Sequence, residues 1–320
     1  MKCSITLLFT ILIPALVGCS ASSLTTEPAA LGQKTTLAEI AKVINTPGPI
    51  VFEKHLAAHW AINLSGLLNL DSPKAIAAGI DDRDEAIEIY TYSIVHPDKG
   101  LYLIDSGISE GFVNPEVDNG VPFYVAMAMG MDKLRVEKTT GALLMAHSSA
   151  EKASPQQVGQ QNSSAIAGVF LTHIHIDHIM GLLDLSASTA IYTGPNEAST
   201  SSFQHVFTQP TTDNILSKFG ILQEWQFDDG DVVDVFGDAS VFAIHVPGHT
   251  PGSTAYLIRS TTGPQLILGD ASHTSWGWNN AVEPGTFSNN QPQSAVSLAK
   301  LLDLSNRHPS ITVHPGHQSL

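Results

Sequence analysis

The sequence predicts a layered protein of mixed helices and strands, of the α/β or α+β class. Two patterns predict this class: short β-rich stretches recur between Gly, Pro and Asp turns, and segments with helical hydrophobic spacing are interspersed among them. The chain has 320 residues, of which 43% are hydrophobic and 14% charged, so it can bury a substantial core. That composition excludes a disordered chain or a coiled coil.

The N-terminal segment resembles a bacterial lipoprotein signal peptide. An apolar run over 5–17 is too short to span a bilayer with ease, and it ends in the letters LVGC. We therefore expect 1–18 to be a signal peptide and Cys19 to be lipidated. Ser20 follows the cysteine, and in such proteins this implies sorting to the outer membrane. We expect an exported protein, anchored there and facing the periplasm; an ordinary signal peptide cut elsewhere is the alternative.

The next segment is rich in Ser, Thr and Ala and has no hydrophobic period. We expect residues 19–36 to form a flexible tether. The globular domain is then expected to cover 37–320.

Within that domain, the pattern predicts nine strands and two helices. The strands are expected at 87–95, 101–104, 169–172, 190–193, 232–236, 241–246, 254–258, 266–268 and 311–313. The helices are expected at 179–185 and 294–304.

A Met-rich segment over 121–150 differs from its surroundings, since it holds four of the six methionines of the chain. It could be a lid or a wall for substrate, because Met adapts to apolar ligands. The favoured interpretation is a helical pair packed on the core. In either case we expect a helical insertion at about 120–160.

The strongest chemical signal is the stretch THIHIDH at 172–178, which follows a predicted strand. On an extended segment His173 and His175 point the same way, and Asp177 and His178 lie at the turn into the next helix. Apolar neighbours indicate burial. Burying these polar groups unpaired would cost several kcal/mol, and binding a cation would remove that cost. The stretch therefore predicts a metal site.

This motif and four later ones resemble, in order, the signature of the metallo-β-lactamase superfamily. Asp105 ends LYLID, His249 lies in VPGHTPGS, Asp270 ends LILGD and His317 lies in HPGH. The resemblance covers roughly 88–320. It implies a four-layer αββα sandwich.

The resemblance also implies two zinc ions, with Mn, Fe or Co as alternatives. Asp105 would orient the loop that carries the ligands. His314 is the alternative to the last ligand. The seven implied ligands, three for one ion, three for the other and one bridging carboxylate, are His173, His175 and His249; Asp177, His178 and His317; and Asp270.

Such a centre would use a metal-bound hydroxide to open an ester, a lactone or a related carbonyl substrate, with Asp177 and Asp270 among the catalytic residues. A bridging aspartate resembles the lactonase and thioesterase branches, so acyl-homoserine lactone is the leading substrate. The alternatives are a β-lactamase or another ester, thioester or phosphoester hydrolase, and a non-catalytic metal-binding lipoprotein.

The segment GDASH, ending at His273, resembles acyl-homoserine lactonases, in which a tyrosine stands at that last position. His273 either donates a hydrogen bond to a developing oxyanion or packs beside Trp276 and Trp278. We also expect Trp276, Trp278 and Phe287 to join part of 121–150 in an apolar wall for substrate.

The charge balance limits the partners. Thirty acidic and 15 basic residues give a formal net charge of −15, which argues against nucleic-acid binding because such a surface must neutralise phosphates. The expected partners are a small-molecule substrate and, through Cys19, a membrane. The sequence does not give the oligomeric state.

Overall fold

Two β-sheets form the centre of the molecule in this computed structural model, which describes residues 24–153, 166–199, 208–227 and 231–320. The strands within those residues are β1 (Thr25–Pro28), β2 (Gln33–Lys34), β3 (Val51–Asn63), β4 (Asp84–His96), β5 (Gly100–Ile104), β6 (Arg135–Val136), β7 (Gly168–Phe170), β8 (Ala190–Thr193), β9 (Ile221–Glu224), β10 (Val232–Asp234), β11 (Val241–His245), β12 (Thr254–Ser260), β13 (Gly263–Ile267) and β14 (Thr312–His314).

Helices flank both sheets. They are α1 (Leu37–Val43), α2 (Leu64–Leu67), α3 (Pro73–Ala77), α4 (Phe123–Ala128), α5 (Thr140–Ala153), α6 (Ile176–Ile179), α7 (Gln209–Leu216), α8 (Ser275–Asn280) and α9 (Gln291–Arg307). Within the described residues, no helix combines the length and apolar character needed to cross a bilayer.

The larger sheet has the strand order β1-β9-β8-β7-β5-β4-β3-β6, and the smaller has β14-β13-β12-β11-β10-β2. Strands β3, β4 and β5 pair antiparallel, whereas β5, β7, β8 and β9 pair parallel. The parallel strands end at one edge of the larger sheet, so the loops that follow them lie side by side.

The alternation of side chains along β12 explains how the layers hold together. Tyr256 and Ile258 face the larger sheet and pack in the apolar layer between the sheets. Ala255 and Leu257 face the opposite way and pack against α1 and α9, for example against Leu301. Because every second residue enters one of two cores, the strand is buried on both faces.

The outer face of the larger sheet is covered in the same way. Leu103 and Val169 pack against Leu143 of α5, Ile179 of α6 and Ile215 of α7. The order of layers is therefore helix, sheet, sheet, helix. This confirms the predicted mixed class and the four-layer αββα sandwich.

Each of the nine predicted strands coincides with an observed strand, with ends that differ by up to three residues. The two predicted helices correspond to α6 with the 3-10 helix Met180–Asp184 that follows it, and to α9. The sequence pattern did not predict the long strand β3, which pairs with β4 near the edge of the larger sheet. This strand carries polar residues at many positions.

The tether prediction is wrong for the described part of 19–36. Strand β1 pairs with β9 and strand β2 pairs with β10, so this segment extends both sheets. Between these strands, Ala29 and Leu31 pack against the layer between the sheets. The segment looks like a tether in sequence because edge strands keep polar side chains in solvent. Residues 1–23, with the predicted signal peptide and Cys19, lie outside the described residues.

The Met-rich segment contains helices, as expected, but also the short strand β6, which pairs with β3. Val125 and Leu143 are buried as the packed-pair interpretation requires. Met127 and Met145, however, are 67% and 68% exposed. The segment is therefore not simply core. Residues 154–160 of the predicted insertion lie outside the described residues.

Candidate functional site

The candidate site lies where the ends of several strands meet. Asp105 follows β5, the THIHIDH stretch follows β7 and His249 follows β11. Asp270 follows β13 and His317 follows β14. The two sheets contribute ligands from opposite sides, so the site is at the open end of the sandwich.

The structure brings together all seven implied ligands. Within each of two groups, one possible ligand atom from each residue lies within 4.8 Å of the others. The groups are His173, His175, His249 and Asp270, and Asp177, His178 and His317.

Asp270 lies between the two groups and turns one carboxylate oxygen toward each. Its Oδ2 atom is 3.5 Å from His173 Nε2 and 3.3 Å from His249 Nε2. Its Oδ1 atom is 3.5 Å from His178 Nε2 and 3.2 Å from His317 Nε2. A single buried carboxylate thus faces four of the implied ligand imidazoles, two on each side.

These donor atoms fit a pair of divalent cations. His173 Nε2, His178 Nε2 and Asp270 Oδ1 are buried and have no hydrogen-bond partner within the described residues, which is costly unless a cation occupies the space between them. In a tetrahedral site with bonds of 2.0–2.1 Å, neighbouring ligand atoms lie about 3.3 Å apart. The separations around Asp270, 3.2–3.5 Å, match that spacing.

Asp105 holds the ligand loop in place and lies outside both groups. Its Oδ1 atom accepts the Thr172 N–H at 2.8 Å, and its Oδ2 atom accepts from His178 Nδ1 at 2.8 Å. Because Nδ1 carries the donated proton, Nε2 of His178 is left free for a cation. Asp105 has φ of 51°, an unfavourable backbone conformation for a residue other than Gly. The fold therefore tolerates strain to aim this carboxylate.

His317 is oriented by the main chain. Its Nδ1 atom donates to the Glu88 carbonyl oxygen at 3.0 Å, which directs Nε2 toward Asp270. Gly316 permits this approach, since a Cβ there would lie 2.4 Å from Asp270 Oδ1. The alternative ligand His314 lies elsewhere: its Nε2 is 2.9 Å from Gln265 Oε1.

Two neighbouring histidines of the site have pKa values shifted in opposite directions. Burial, together with the neighbouring imidazoles, holds the pKa of His173 well below its usual value. Burial also opposes the charge of His178, but Asp105, Asp270 and Asp177 outweigh it and raise the pKa of His178 well above its usual value. The carboxylates that favour a proton on His178 would equally favour a cation beside it.

A cavity of about 580 Å³ opens over both groups. Its lining includes Asp177, Asp270 and His273 on the polar side and Trp60, Phe287 and Met127 on the apolar side. Phe287 packs so closely on the backbone of Gly66 that a Cβ there would lie 2.2 Å from the ring. The predicted wall thus includes Phe287 and part of the Met-rich segment.

The prediction that Trp276 and Trp278 belong to this wall is wrong. Trp278 is 7% exposed and packs in the core between the smaller sheet and α9. Trp276 packs against the apolar cluster that includes Leu64 and Leu68 and that also supports Phe287. Both lie on the short helix α8, and neither lines the cavity.

His273 faces the site, where its ring lies against those of His249 and His317. Its Nε2 atom is 3.1 Å from Asp270 Oδ2, and its ring stacks on that of His317 at 5.7 Å between centroids. A protonated Nε2 therefore donates to Asp270. The proposed donation to a substrate oxyanion stays a prediction.

Two residues at the site escaped the sequence reasoning. Glu88 acts through its main-chain oxygen, which leaves no signal in the identity of the residue. Glu197 is buried and accepts hydrogen bonds from two ligand loops. Burial raises the pKa of Glu197 to about 7, with its hydrogen-bond donors acting in the opposite direction. A lone acidic residue in a turn has no spacing that would single it out.

Comparison with known proteins places this site in a family. The protein-family model described as "Metallo-beta-lactamase superfamily" matches residues 149–317, slightly more than half of the chain. That range contains all seven implied ligands.

Curated relatives and solved structures that resemble this chain are named as N-acyl homoserine lactonases. The N-acyl homoserine lactonase AttM of Agrobacterium fabrum (strain C58) is 29% identical over 159 residues, 47% of this chain and 57% of that protein. The chain thus matches little more than half of the length of this relative. A crystal structure of a quorum-quenching N-acyl homoserine lactone lactonase superposes with a TM-score of 0.55 at 17% identity, covering 85% of this chain and 93% of the other.

A dizinc quorum-quenching lactonase, AidC, superposes with a TM-score of 0.53 at 18% identity. The superposition covers 85% of this chain and 88% of that one. Likeness at this level of identity shows the shared fold.

The choice between His317 and His314 can be tested by counting metal. Replacing His317 by Ala removes a ligand atom that faces Asp270, so the zinc content should fall from about two ions per chain to about one. The matched change His314→Ala removes a ring that contacts Gln265 and should leave the content unchanged. Elemental analysis of the zinc-loaded proteins after gel filtration measures both. Equal loss in the two variants would contradict the assignment.

Proposed function

Because this chain belongs to the metallo-β-lactamase superfamily, we propose that it is a metal-dependent hydrolase that opens the ring of N-acyl homoserine lactones. The observation that carries the proposal is the position of Asp270 beneath the cavity. One carboxylate joins two groups of imidazole ligands, and the opening above them is lined by Phe287 and Met127 on its apolar side. Polar chemistry and an apolar pocket thus meet at one point.

The cofactor assignment is part of the proposal. The residues suit a pair of divalent cations, zinc being favoured by the imidazole and carboxylate ligands. When bound, such a pair would polarise the substrate carbonyl and lower the pKa of a bound water to roughly 7.

The protein itself supplies orientation. Asp177 extends into the cavity with its Oδ2 atom 3.4 Å from His317 Nε2, and His273 fixes Asp270 from the other side. The rings of His173, His178, His249 and His317 are buried, and the cavity opens over both groups. No serine or cysteine nucleophile is required for this reaction.

The substrate class rests on two arguments. The named relative AttM and the superposed structures are N-acyl homoserine lactonases. The cavity, at about 580 Å³, has room for a lactone ring with an attached acyl group, and its apolar side suits the acyl part.

We further propose, from the sequence, that the chain is exported and anchored through a lipid on Cys19 at the outer membrane, facing the periplasm. Support comes from the apolar run over 5–17 and the letters LVGC that end it. A hydrolase held there would meet acylated signals as they cross the periplasm.

A side-by-side assay tests the reaction. The zinc-loaded protein should hydrolyse N-hexanoyl homoserine lactone, with one proton released per ring opened, and should show much lower activity on a penicillin. Asp270→Ala should reduce turnover by about 10²-fold or more, since both groups lose their shared ligand. A pH-stat follows the proton release. Faster turnover of the penicillin would replace the lactonase proposal by a β-lactamase one.

The apolar side of the cavity can be tested with a matched pair of variants. Phe287→Ala should raise KM for a long-chain lactone about tenfold, because an apolar contact with substrate is lost. Trp278→Ala should instead lower the free energy of unfolding by about 3–5 kcal/mol and leave KM unchanged, since that ring lies in the core. Steady-state kinetics and urea unfolding measure the two effects. A raised KM in the Trp278 variant alone would contradict the assignment of the wall.

The anchor is tested in cells that make the full chain. Labelling with a radioactive fatty acid should mark the protein, and Cys19→Ser should abolish the label and release the protein from the membrane fraction. Cys3→Ser is the matched control and should change neither result. Fatty-acid labelling that persists in Cys19→Ser would exclude this anchor.

A further inference from the structure

A buried carboxylate outside the implied ligand set connects the two sides of the site. Glu197 lies in the turn after β8 and is only 2% exposed. Its Oε1 atom accepts the Gly252 N–H at 2.7 Å, and its Oε2 atom accepts the Ile174 N–H at 3.2 Å. The Thr250 hydroxyl also donates to it.

The donors belong to two loops that carry metal ligands. Ile174 stands between His173 and His175 in the loop after β7 of the larger sheet. Gly252 stands three residues after His249, in the loop between β11 and β12 of the smaller sheet. Glu197 therefore bridges the two sheets at the point where their ligand loops meet.

The surrounding backbone is shaped to bring this carboxylate inward. Asn196 adopts φ of 63°, in the left-handed region that Asn tolerates better than most residues, and its N–H donates to Glu224 Oε2 at 3.1 Å. The turn also presses directly on the opposite loop. A Cβ on Gly194 would lie 1.7 Å from the Gly252 carbonyl oxygen, so only Gly allows this contact.

We propose that Glu197 is a positioning residue that sets the separation of His175 and His249 and thereby the metal affinity of the group formed by His173, His175 and His249. His175 Nδ1 and His249 Nε2 lie 2.8 Å apart. Two loops from different sheets keep that separation only if contacts fix one against the other. The Glu197 carboxylate, which accepts from both loops, is one such contact, beside the backbone hydrogen bond from the Thr254 N–H to the Thr172 carbonyl oxygen. The proposal rests on the metal-binding part of the proposed function and not on the choice of substrate.

The second group is held by different contacts. Asp105 orients His178, and the Glu88 carbonyl oxygen orients His317. Neither contact involves Glu197. Loss of the Glu197 carboxylate should therefore affect the two groups unequally, whereas a general loss of folding would affect both.

The substitution Glu197→Gln removes the carboxylate with little change of shape. A carboxamide has one acceptor oxygen, so it can serve only one of the two N–H donors, and its own NH₂ group then faces the other. Glu197→Ala removes both bonds. Asp184→Asn is the matched control: Asp184 is a half-buried carboxylate that accepts the N–H groups of Glu110 and Gly141, and neither lies in a ligand loop.

The experiment measures Co²⁺ affinity in the full chain after removal of metal by a chelator. The affinity of the first group is read in a His317→Ala background, and that of the second group in a His249→Ala background. The visible absorption of bound Co²⁺ gives both the affinity and the geometry around the ion, and neither depends on any activity.

We expect Glu197→Gln to raise the Kd of the first group about 10–100-fold and to change its absorption spectrum. The Kd of the second group should stay the same. Asp184→Asn should lower Tm without altering either Kd.

If the Glu197→Ala variant fails to fold, the Glu197→Gln variant alone tests the proposal. The proposal is overturned if Glu197→Gln leaves the first Kd unchanged, or if both values rise together with a fall in Tm, as in a merely structural role. A protein that shows the selective effect but hydrolyses no lactone would support the positioning role of Glu197 and refute the proposed lactone substrate.

Discussion

The two oxygens of one carboxylate organise this protein. Asp270 is 4% exposed, and its Oδ2 atom faces three imidazoles and its Oδ1 atom two, at 3.1–3.5 Å. A group so buried is stable only if positive charge surrounds it, whether from protons or from cations. The need to supply that charge from both sides explains why ligands converge from both sheets and why the centre lies at the open end of the sandwich.

The rest of the fold keeps this arrangement rigid. Asp105 accepts a strained backbone to hold the first ligand loop, and Glu197 ties that loop to the one from the other sheet. Further back, Tyr256 donates to the carbonyl oxygen of Leu171, just before the ligand loop, and accepts from Trp225. A chain of buried hydrogen bonds thus links the core between the sheets to the ligands.

The apolar side of the cavity comes from residues outside the ligand motifs. Met127 precedes the THIHIDH motif, and Phe287 lies between Asp270 and His317. Met127 is 67% exposed even though it borders the cavity. A flexible side chain at the mouth is suited to acyl groups of different length.

The sequence by itself determined the layered class and the strands that carry the site, because dense local motifs such as THIHIDH and regular alternation can be recognised without knowledge of distant neighbours. The seven candidate ligands came from the resemblance to the superfamily, and the structure brings them together. It could not place Trp278, whose ring could face the cavity or the core until helix α8 was in position. It also misread β1, an edge strand whose polar side chains look like those of a tether. Only the tertiary structure decided these points and the role of Glu197, because each depends on contacts between residues that are far apart in the chain.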